Sequence, residues 1–151
     1  MPVAAGRLLL MGSIGFKEDV LPVEVRERLD VALEAGMDVI VGEAHGSCRL
    51  FQDYLQAKGY RRVTVGHARS IRYNAGGWPT RKYGDNLKER ERALIEDCDS
   101  AIIIWNDHSS VIAENLEYLK RLNKLTFIYE YDSKKKSGSF GQIDWGRNYR
   151  Q

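Results

Sequence analysis

Short apolar runs alternate with longer amphipathic segments along most of this chain. A continuous apolar run predicts a strand buried on both faces of a sheet, and apolar residues at every third or fourth position predict a helix with one buried face. Five strands are predicted near residues 7–11, 38–41, 62–65, 101–105 and 125–129. Four helices are predicted between them, near residues 22–35, 47–58, 86–97 and 111–123. This alternation predicts an α/β fold, a single Rossmann-like domain whose mostly parallel five-stranded sheet carries helices on both faces.

Two segments show neither the continuous apolar run of a buried strand nor the apolar spacing of a helix. Residues 66–85 interleave cations with aromatic rings, and we interpret them as a functional loop that closes over a ligand, the alternative being a solvated loop with one or two anchoring aromatics. Residues 132–151 contain three consecutive lysines followed by serine and glycine. We therefore predict one folded domain over residues 1–131 and a flexible basic tail over residues 132–151.

Composition narrows the class of protein. The chain has 151 residues, which suits one domain, and its 23 Lys and Arg against 21 Asp and Glu give a net charge of +2. Such a balance argues against a protein that coats nucleic acid through bulk charge. No run approaches the roughly 20 apolar residues of a membrane span, so we expect a cytoplasmic protein with no membrane partner. The two cysteines have no CxxC spacing, and we expect neither a metal site nor a cofactor.

The glycine-rich turn after the first strand is the first candidate ligand site. Parallel strands end at one edge of a sheet, and ligands bind there where the strand order reverses. With the order 3-2-1-4-5, residues 12–15 would face residues 106–110 across that switch point. Gly12 lets the backbone approach a phosphate closely, and Ser13 offers a hydroxyl. The same turn is also typical of an ordinary tight corner in an α/β fold.

Further polar residues are expected at the same edge. Ser109 and Ser110 open the fourth predicted helix, where free amides and the helix dipole favour anions, although a simple capping box is an alternative. Trp78 and Arg81 would approach from the loop of residues 66–85. The predicted ligand-binding residues are Gly12, Ser13, Gly42, Glu43, Gly46, Trp78, Arg81, Ser109 and Ser110.

Three stretches carry a resemblance to a known family. They are Gly12 with Ser13, residues 41–52, and residues 97–105 with their continuation to residue 115. Over about residues 7–131 the chain resembles the SLOG superfamily of Rossmann-like nucleotide-binding domains, which includes the lonely-guy phosphoribohydrolases, and especially its small bacterial and phage branch. The resemblance implies a nucleotide ligand and a homodimer. Members commonly carry Gly-Gly or Gly-Thr in the second ligand loop, where this chain has Ser110-Val111.

The resemblance also suggests a reaction. Related nucleotide N-glycosidases place a catalytic glutamate just inside the corresponding helix, and Glu114 falls at a similar position. It would act at C1′ of a nucleoside 5′-monophosphate, as a nucleophile or as a stabiliser of positive charge, while Asp107 or Glu43 assists the departing base. A non-catalytic nucleotide sensor is the first alternative. The second is a module for single-stranded nucleic acid that uses the arginines of residues 69–81, Trp78 and the lysine tail.

Overall fold

A seven-stranded sheet forms the centre of the structure, a computed structural model that describes residues 6–143. The strands are β1 (Arg7–Gly12), β2 (Asp38–Gly42), β3 (Val63–His67), β4 (Thr80–Lys82), β5 (Ser100–Asn106), β6 (Leu125–Asp132) and β7 (Ser137–Ile143). The helices are α1 (Val23–Glu34), α2 (Ser47–Ala57), α3 (Leu87–Asp97) and α4 (Ser110–Arg121). The strand order is β4-β3-β2-β1-β5-β6-β7, and only β7 runs antiparallel to its neighbour. The predicted α/β class is confirmed, and so is the order of the five predicted strands.

Alternate residues of the central strand enter two different hydrophobic cores. Leu8 and Leu10 point to the face covered by α1 and α2, whereas Leu9 and Met11 point to the face covered by α3 and α4. Because both faces are buried, the strand reads as one continuous apolar run in the sequence. β1 pairs with β2 on one side and with β5 on the other, so its end lies at the point where the strand order reverses.

The sheet has two strands more than predicted. β4 lies inside the predicted loop of residues 66–85, and its three residues are all exposed, so no apolar period marks it. β7 lies inside the predicted flexible tail and carries two glycines and two serines, yet it pairs with β6 along its whole length. Phe140 of β7 also stacks on Phe127, with 6.0 Å between ring centroids. The sheet therefore has seven strands where five were predicted, and it continues past residue 131, where the domain was predicted to end. The sequence did not indicate the two extra strands, because backbone pairing needs no apolar pattern.

The remainder of the predicted tail, residues 144–151, lies outside the described residues, as do residues 1–5. Between residues 6 and 143, no helix combines the length and the apolar character that a membrane crossing requires.

Candidate functional site

A cavity of about 650 Å³ opens at the carboxyl ends of β1 and β5, where the strand order reverses. Its walls come from the loop of residues 11–15, from one face along the whole length of α4 and from the first half of α3. The volume lies within the range typical of small-molecule sites, and the switch point of an open α/β sheet is where such sites form. Gly12, Ser13, Ser109 and Glu114 of the predicted site line this cavity.

The Ser13 hydroxyl joins the two loops at the base of the cavity. Its Oγ accepts a hydrogen bond of 2.9 Å from the backbone N–H of Asn106 and lies 3.0 Å from Ser109 Oγ. The Ser13 backbone N–H donates to the Ile104 carbonyl at 2.9 Å. Because Ser13 is buried and its hydroxyl is already engaged, its role in the structure is to hold the loops after β1 and β5 together.

The N-terminus of α4 opens on this cavity without a side-chain cap. Ser109 occupies the N-cap position, but its hydroxyl meets Ser13 and accepts no hydrogen bond from the first turn. The capping box considered from the sequence is therefore absent from α4. The amides of a first helical turn have no partner within the helix, and the helix dipole adds positive potential there. Ser109, Val111 and Ile112 line the cavity, so this end of it favours an anion, whereas Ser110 does not line it.

Glycines pack the loops against the start of α2. A Cβ on Gly46, whose φ is +75°, would overlap the Ile14 carbonyl, and a Cβ on Gly12 would lie 2.7 Å from Ser47 Cβ. Ser47 Oγ donates to the Ser13 carbonyl at 2.9 Å. Gly46 and Gly42 were predicted to bind a ligand, but neither lines the cavity. Gly46 allows the close approach of one backbone to another, and Gly12 and Gly42 leave room for the side chains of Ser47 and Cys48.

Glu43 is tied to two arginines and does not line the cavity. Its carboxylate, which is 2% exposed, accepts hydrogen bonds from Arg72 Nε at 2.6 Å and Nη2 at 3.1 Å, and it also pairs with Arg90 Nη1. Burial acts to raise the pKa of Glu43, but the Arg72 hydrogen bonds and the Arg90 charge outweigh it, so the pKa is lowered. Glu43 is thus an ionised link between the loop after β2 and α3, and this role replaces the predicted ligand contact.

Glu114 projects from the cavity wall one turn inside α4. It is exposed, and Glu117, Tyr118 and Arg121 follow it along the same side of the helix. These positions are spaced by three or four residues, which places them on one face. The ring of Tyr118 lies 4.4 Å from the Arg92 guanidinium of α3. This face of α4 brings a carboxylate, an aromatic ring and cations to one cavity.

The cations come from both helices that border the cavity. Lys88 and Arg92 of α3 and Arg121 of α4 line it, and none of the three forms an ion pair in the part of the chain that the structure describes. Sequence reasoning missed these residues, because the contribution of α3 depends on how it packs beside α4. The helical spacing from Glu114 to Arg121 was the signal that could have indicated the α4 wall.

Asp107 lies just outside the cavity and has another partner. Its Oδ1 accepts from the Ser133 backbone N–H at 2.9 Å, and its Oδ2 accepts from the Ser133 hydroxyl at 2.6 Å. These hydrogen bonds lower the pKa of Asp107. An acid that assists a departing base must hold a proton, so this environment disfavours the predicted role of Asp107.

Trp78 and Arg81, predicted to close over the ligand, lie away from this cavity. Trp78 is buried, and its Nε1–H donates to the Tyr60 carbonyl at 3.0 Å. Arg81 of β4 lies 3.6 Å from Asp97, beside the C-terminus of α3. Trp78 is therefore an anchor of the segment before β4, and the proposed lid over the carboxyl edge is not formed by these two residues.

The cavity offers little thiol or metal chemistry. Cys48 lines it, but burial raises the pKa of this thiol to about 11, so it is protonated at neutral pH. Across residues 6–143, no three acidic, histidine or cysteine side chains are grouped as metal ligands would be. Helix amides, cations and carboxylates remain as the groups that could bind and act on a ligand.

Comparisons with known proteins neither support nor contradict the resemblance to the SLOG superfamily. No protein-family model, no curated protein and no solved structure matches this chain. Membership of that superfamily therefore stays a prediction from sequence motifs, and the geometry of the cavity is the ground for assigning a function.

Proposed function

We propose that this protein binds a nucleotide or a nucleotide-derived small molecule in the cavity at the carboxyl ends of β1 and β5. The observation that carries the proposal is the uncapped N-terminus of α4, which opens on a cavity of about 650 Å³ at the switch point of the sheet. Uncapped amides and a positive helix end suit a phosphate group. The cavity is large enough for a base and a sugar as well.

The remaining lining supports a ligand with both a charged and a flat part. Arg92 and Arg121 supply positive charge, and their guanidinium groups lie 4.4 Å and 5.9 Å from the centre of the Tyr118 ring, a layer of planar groups against which a base can stack. Met11 and Ile112 provide apolar contact near the base of the cavity. A nucleoside 5′-monophosphate combines the anion and the flat ring that this lining suits.

The binding proposal is tested by calorimetric titration with nucleoside 5′-monophosphates and with the matching nucleosides. Arg92→Ala and Arg121→Ala should each weaken binding of the monophosphate at least about tenfold, since a hydrogen bond to a charged group contributes about 1.5–3 kcal/mol. Lys120→Ala is the matched control, because Lys120 lies on α4 but does not line the cavity. Equal affinity for nucleosides and monophosphates, or equal losses in all three variants, would contradict the proposal.

Hydrolysis of the N-glycosidic bond is the second function we propose for this cavity. The exposed Glu114 carboxylate on its wall supports it, because a carboxylate beside C1′ can stabilise positive charge or attack the sugar. A second carboxyl group would come from Glu91 or Glu117, which line the cavity, since Asp107 does not. A sensor without turnover would use the same cavity and leave Glu114 without a chemical role.

Chromatography with mass spectrometry distinguishes these two functions. Wild-type protein incubated with ribo- and deoxyribonucleoside monophosphates should release a free base, and Glu114→Gln should abolish release while it keeps the affinity for the nucleotide. Glu27→Gln serves as the control, because Glu27 is an exposed glutamate of α1 that does not line the cavity. Base release that survives Glu114→Gln would remove Glu114 from the mechanism, and binding without release would favour the sensor.

A homodimer and a cytoplasmic location belong to the same proposal. Ile14, Leu87 and Val111 are 60%, 53% and 60% exposed and all line this one cavity, and this grouping of exposed apolar side chains supports contact with a second copy. Both free cysteines, Cys48 and Cys98, are buried, as is common in reducing compartments. Light scattering after gel filtration should give twice the chain mass, and Val111→Glu should reduce it to one chain mass.

A further inference from the structure

A second cavity, of about 330 Å³, lies at the opposite edge of the sheet. The first residues of β1, β2 and β3 line it, together with Arg81 of β4 and the last residue of α3. It is separate from the cavity at the carboxyl edge, since the two share no lining residue. Its chemistry is therefore independent of the proposed nucleotide site.

Arginines dominate the lining of this cavity. Arg7, Arg61, Arg62 and Arg81 face only two carboxylates, those of Asp38 and Asp97. Two positive charges are consequently unmatched within one concave surface. Such an excess attracts an anion, and the planar guanidinium groups suit phosphate oxygens, which they can bind with two parallel hydrogen bonds.

The existing ion pairs do not prevent the arginines from turning to a ligand. Arg62 Nη2 lies 2.9 Å from Asp38, and Asp97 is shared between Arg7 and Arg81. Arg61 forms no ion pair in the described part of the chain. The Arg62 and Arg81 side chains are each 60% exposed, and ion pairs at such exposure contribute little to stability. An arginine that leaves its carboxylate partner for a phosphate group of a ligand therefore loses little free energy.

The backbone that carries these arginines is held rigidly. The Arg62 carbonyl accepts from Val39 N–H at 2.8 Å, and the Arg61 carbonyl accepts from Val63 N–H at 2.9 Å. The neighbouring Tyr60 accepts the Trp78 indole hydrogen bond through its carbonyl and donates its own hydroxyl to the Met37 carbonyl at 2.6 Å. Buried Trp78 thus fixes the position of the arginine segment, and a preorganised site binds its ligand with a smaller loss of entropy.

We propose that this cavity is a binding site for a small polyphosphate anion, the phosphate groups being held by Arg61 and Arg62 with help from Arg7 and Arg81. The concave shape and the convergence of side chains from four separate strands favour a compact ligand. A nucleic-acid backbone would instead call for a groove or stripe of cations along the surface, and the net charge of the chain is only +2.

Calorimetric titration of the full chain with inorganic triphosphate in 150 mM salt tests this site, because salt of that strength screens exposed bulk charge. Wild-type protein should bind one triphosphate saturably, and the double variant Arg61→Ala with Arg62→Ala should bind it at least tenfold more weakly. The control is Lys134→Ala with Lys135→Ala, which removes the same charge from the exposed turn between β6 and β7 and should change affinity less than twofold.

Further variants separate this site from the other cavity and from a folding defect. Arg61→Lys with Arg62→Lys preserves charge but removes the guanidinium forks, and it should bind triphosphate with intermediate affinity. The carboxyl-edge cavity is itself proposed to bind a phosphate, so the titration is repeated in the Arg92→Ala, Arg121→Ala background, where one triphosphate should still bind saturably and Arg61→Ala with Arg62→Ala should still weaken it at least tenfold. The Arg61 and Arg62 variants should bind nucleoside monophosphates as wild type does, so the two proposals fail independently.

Three results would overturn the proposal. The first is the absence of saturable binding to wild-type protein. The second is a loss in the control variants as large as the loss in the arginine variants. The third is the binding of a 20-residue oligodeoxythymidine through Arg61 and Arg62 without binding of triphosphate, which would assign the surface to single-stranded nucleic acid.

Discussion

Replacement of Glu43 by glutamine should destabilise the protein far more than the loss of an ordinary surface charge. Glu43 pairs with two arginines, and the Arg90 side chain is only 7% exposed. Glutamine keeps the size of the side chain and one hydrogen-bond acceptor but removes the negative charge. Arg90 would then keep a single carboxylate partner, Glu91, at 3.2 Å.

The expected loss follows from the burial of that cation. Removal of one partner from a buried ion pair typically costs about 3–5 kcal/mol, because the other charge is left uncompensated. Glu91 still neutralises part of the Arg90 charge, and the Arg72 side chain is 40% exposed, so the low end of the range applies. We expect the free energy of unfolding to fall by about 3 kcal/mol at pH 7. For a chain of this length, that corresponds to a drop in Tm of about 6–12 °C.

The difference between wild type and the Glu43→Gln variant should depend on pH. The folded-state pKa of Glu43 is lowered from its ordinary value of 4.5, so the stabilisation by its carboxylate is fully present above that value. As pH falls through 4.5 and towards the lower folded pKa, the unfolded chain takes up the proton first and wild type loses the stabilisation. The difference in unfolding free energy should therefore shrink steadily as the solution becomes acidic.

Urea unfolding followed by circular dichroism at pH 7 and in steps below pH 5 measures both effects. Asp38→Asn is the matched control, since the Asp38 carboxylate pairs with Arg62 at 2.9 Å but is 54% exposed, and its loss should cost at most about 1 kcal/mol. Similar losses in the two variants would refute the reasoning from burial. A Glu43→Gln deficit that stayed constant down to pH 3 would refute the assignment of the effect to the ionised carboxylate.

Two other predictions concern glycine conformation and thiol reactivity. Gly46→Ala should lower the free energy of unfolding by about 3 kcal/mol because its Cβ would overlap the Ile14 carbonyl, whereas Gly36→Ala, at nearly the same φ but in open space, should cost about 1 kcal/mol. Urea denaturation measures both, and equal losses would contradict the role of the overlap. Cys48 and Cys98, whose pKa values burial raises to about 11 and 12, should resist a disulfide reagent at pH 8 until denaturant is added; rapid native labelling would show that the thiols are accessible.

The sequence predicted the parts of the fold that hydrophobic burial determines. Five strands were predicted from apolar runs such as that of β5, because a strand covered on both faces must be apolar throughout, whereas their order was assumed from the usual topology of open α/β sheets. β4 and β7 gave no such signal, since both are exposed edge strands held mainly by main-chain hydrogen bonds. A pattern of side chains cannot report pairing that the backbone provides.

The candidate site was predictable where it depends on chain topology and unpredictable where it depends on helix packing. Gly12, Ser13 and Ser109 come together because the strands before them are neighbours in the sheet. The position of Glu43 in the loop after the second strand suggested a ligand contact, but its burial against Arg90 is set by the packing of α3 on the sheet. The spacing of residues along one strand or one helix carries no information on such contacts between elements.

The pairing of β1 with β5 constrains the order in which the chain can fold. Leu9 of β1 and Ala101 of β5 are register partners, although 91 residues lie between them in the chain. The middle of the sheet therefore cannot form until most of the chain is available. Long loops delay closure, and folding rates fall as contacts become less local. During synthesis, β1 to β4 would emerge first, with an apolar and unpaired β1 edge exposed to other chains. Shortened chains that end before β5 should therefore aggregate instead of forming a smaller stable sheet.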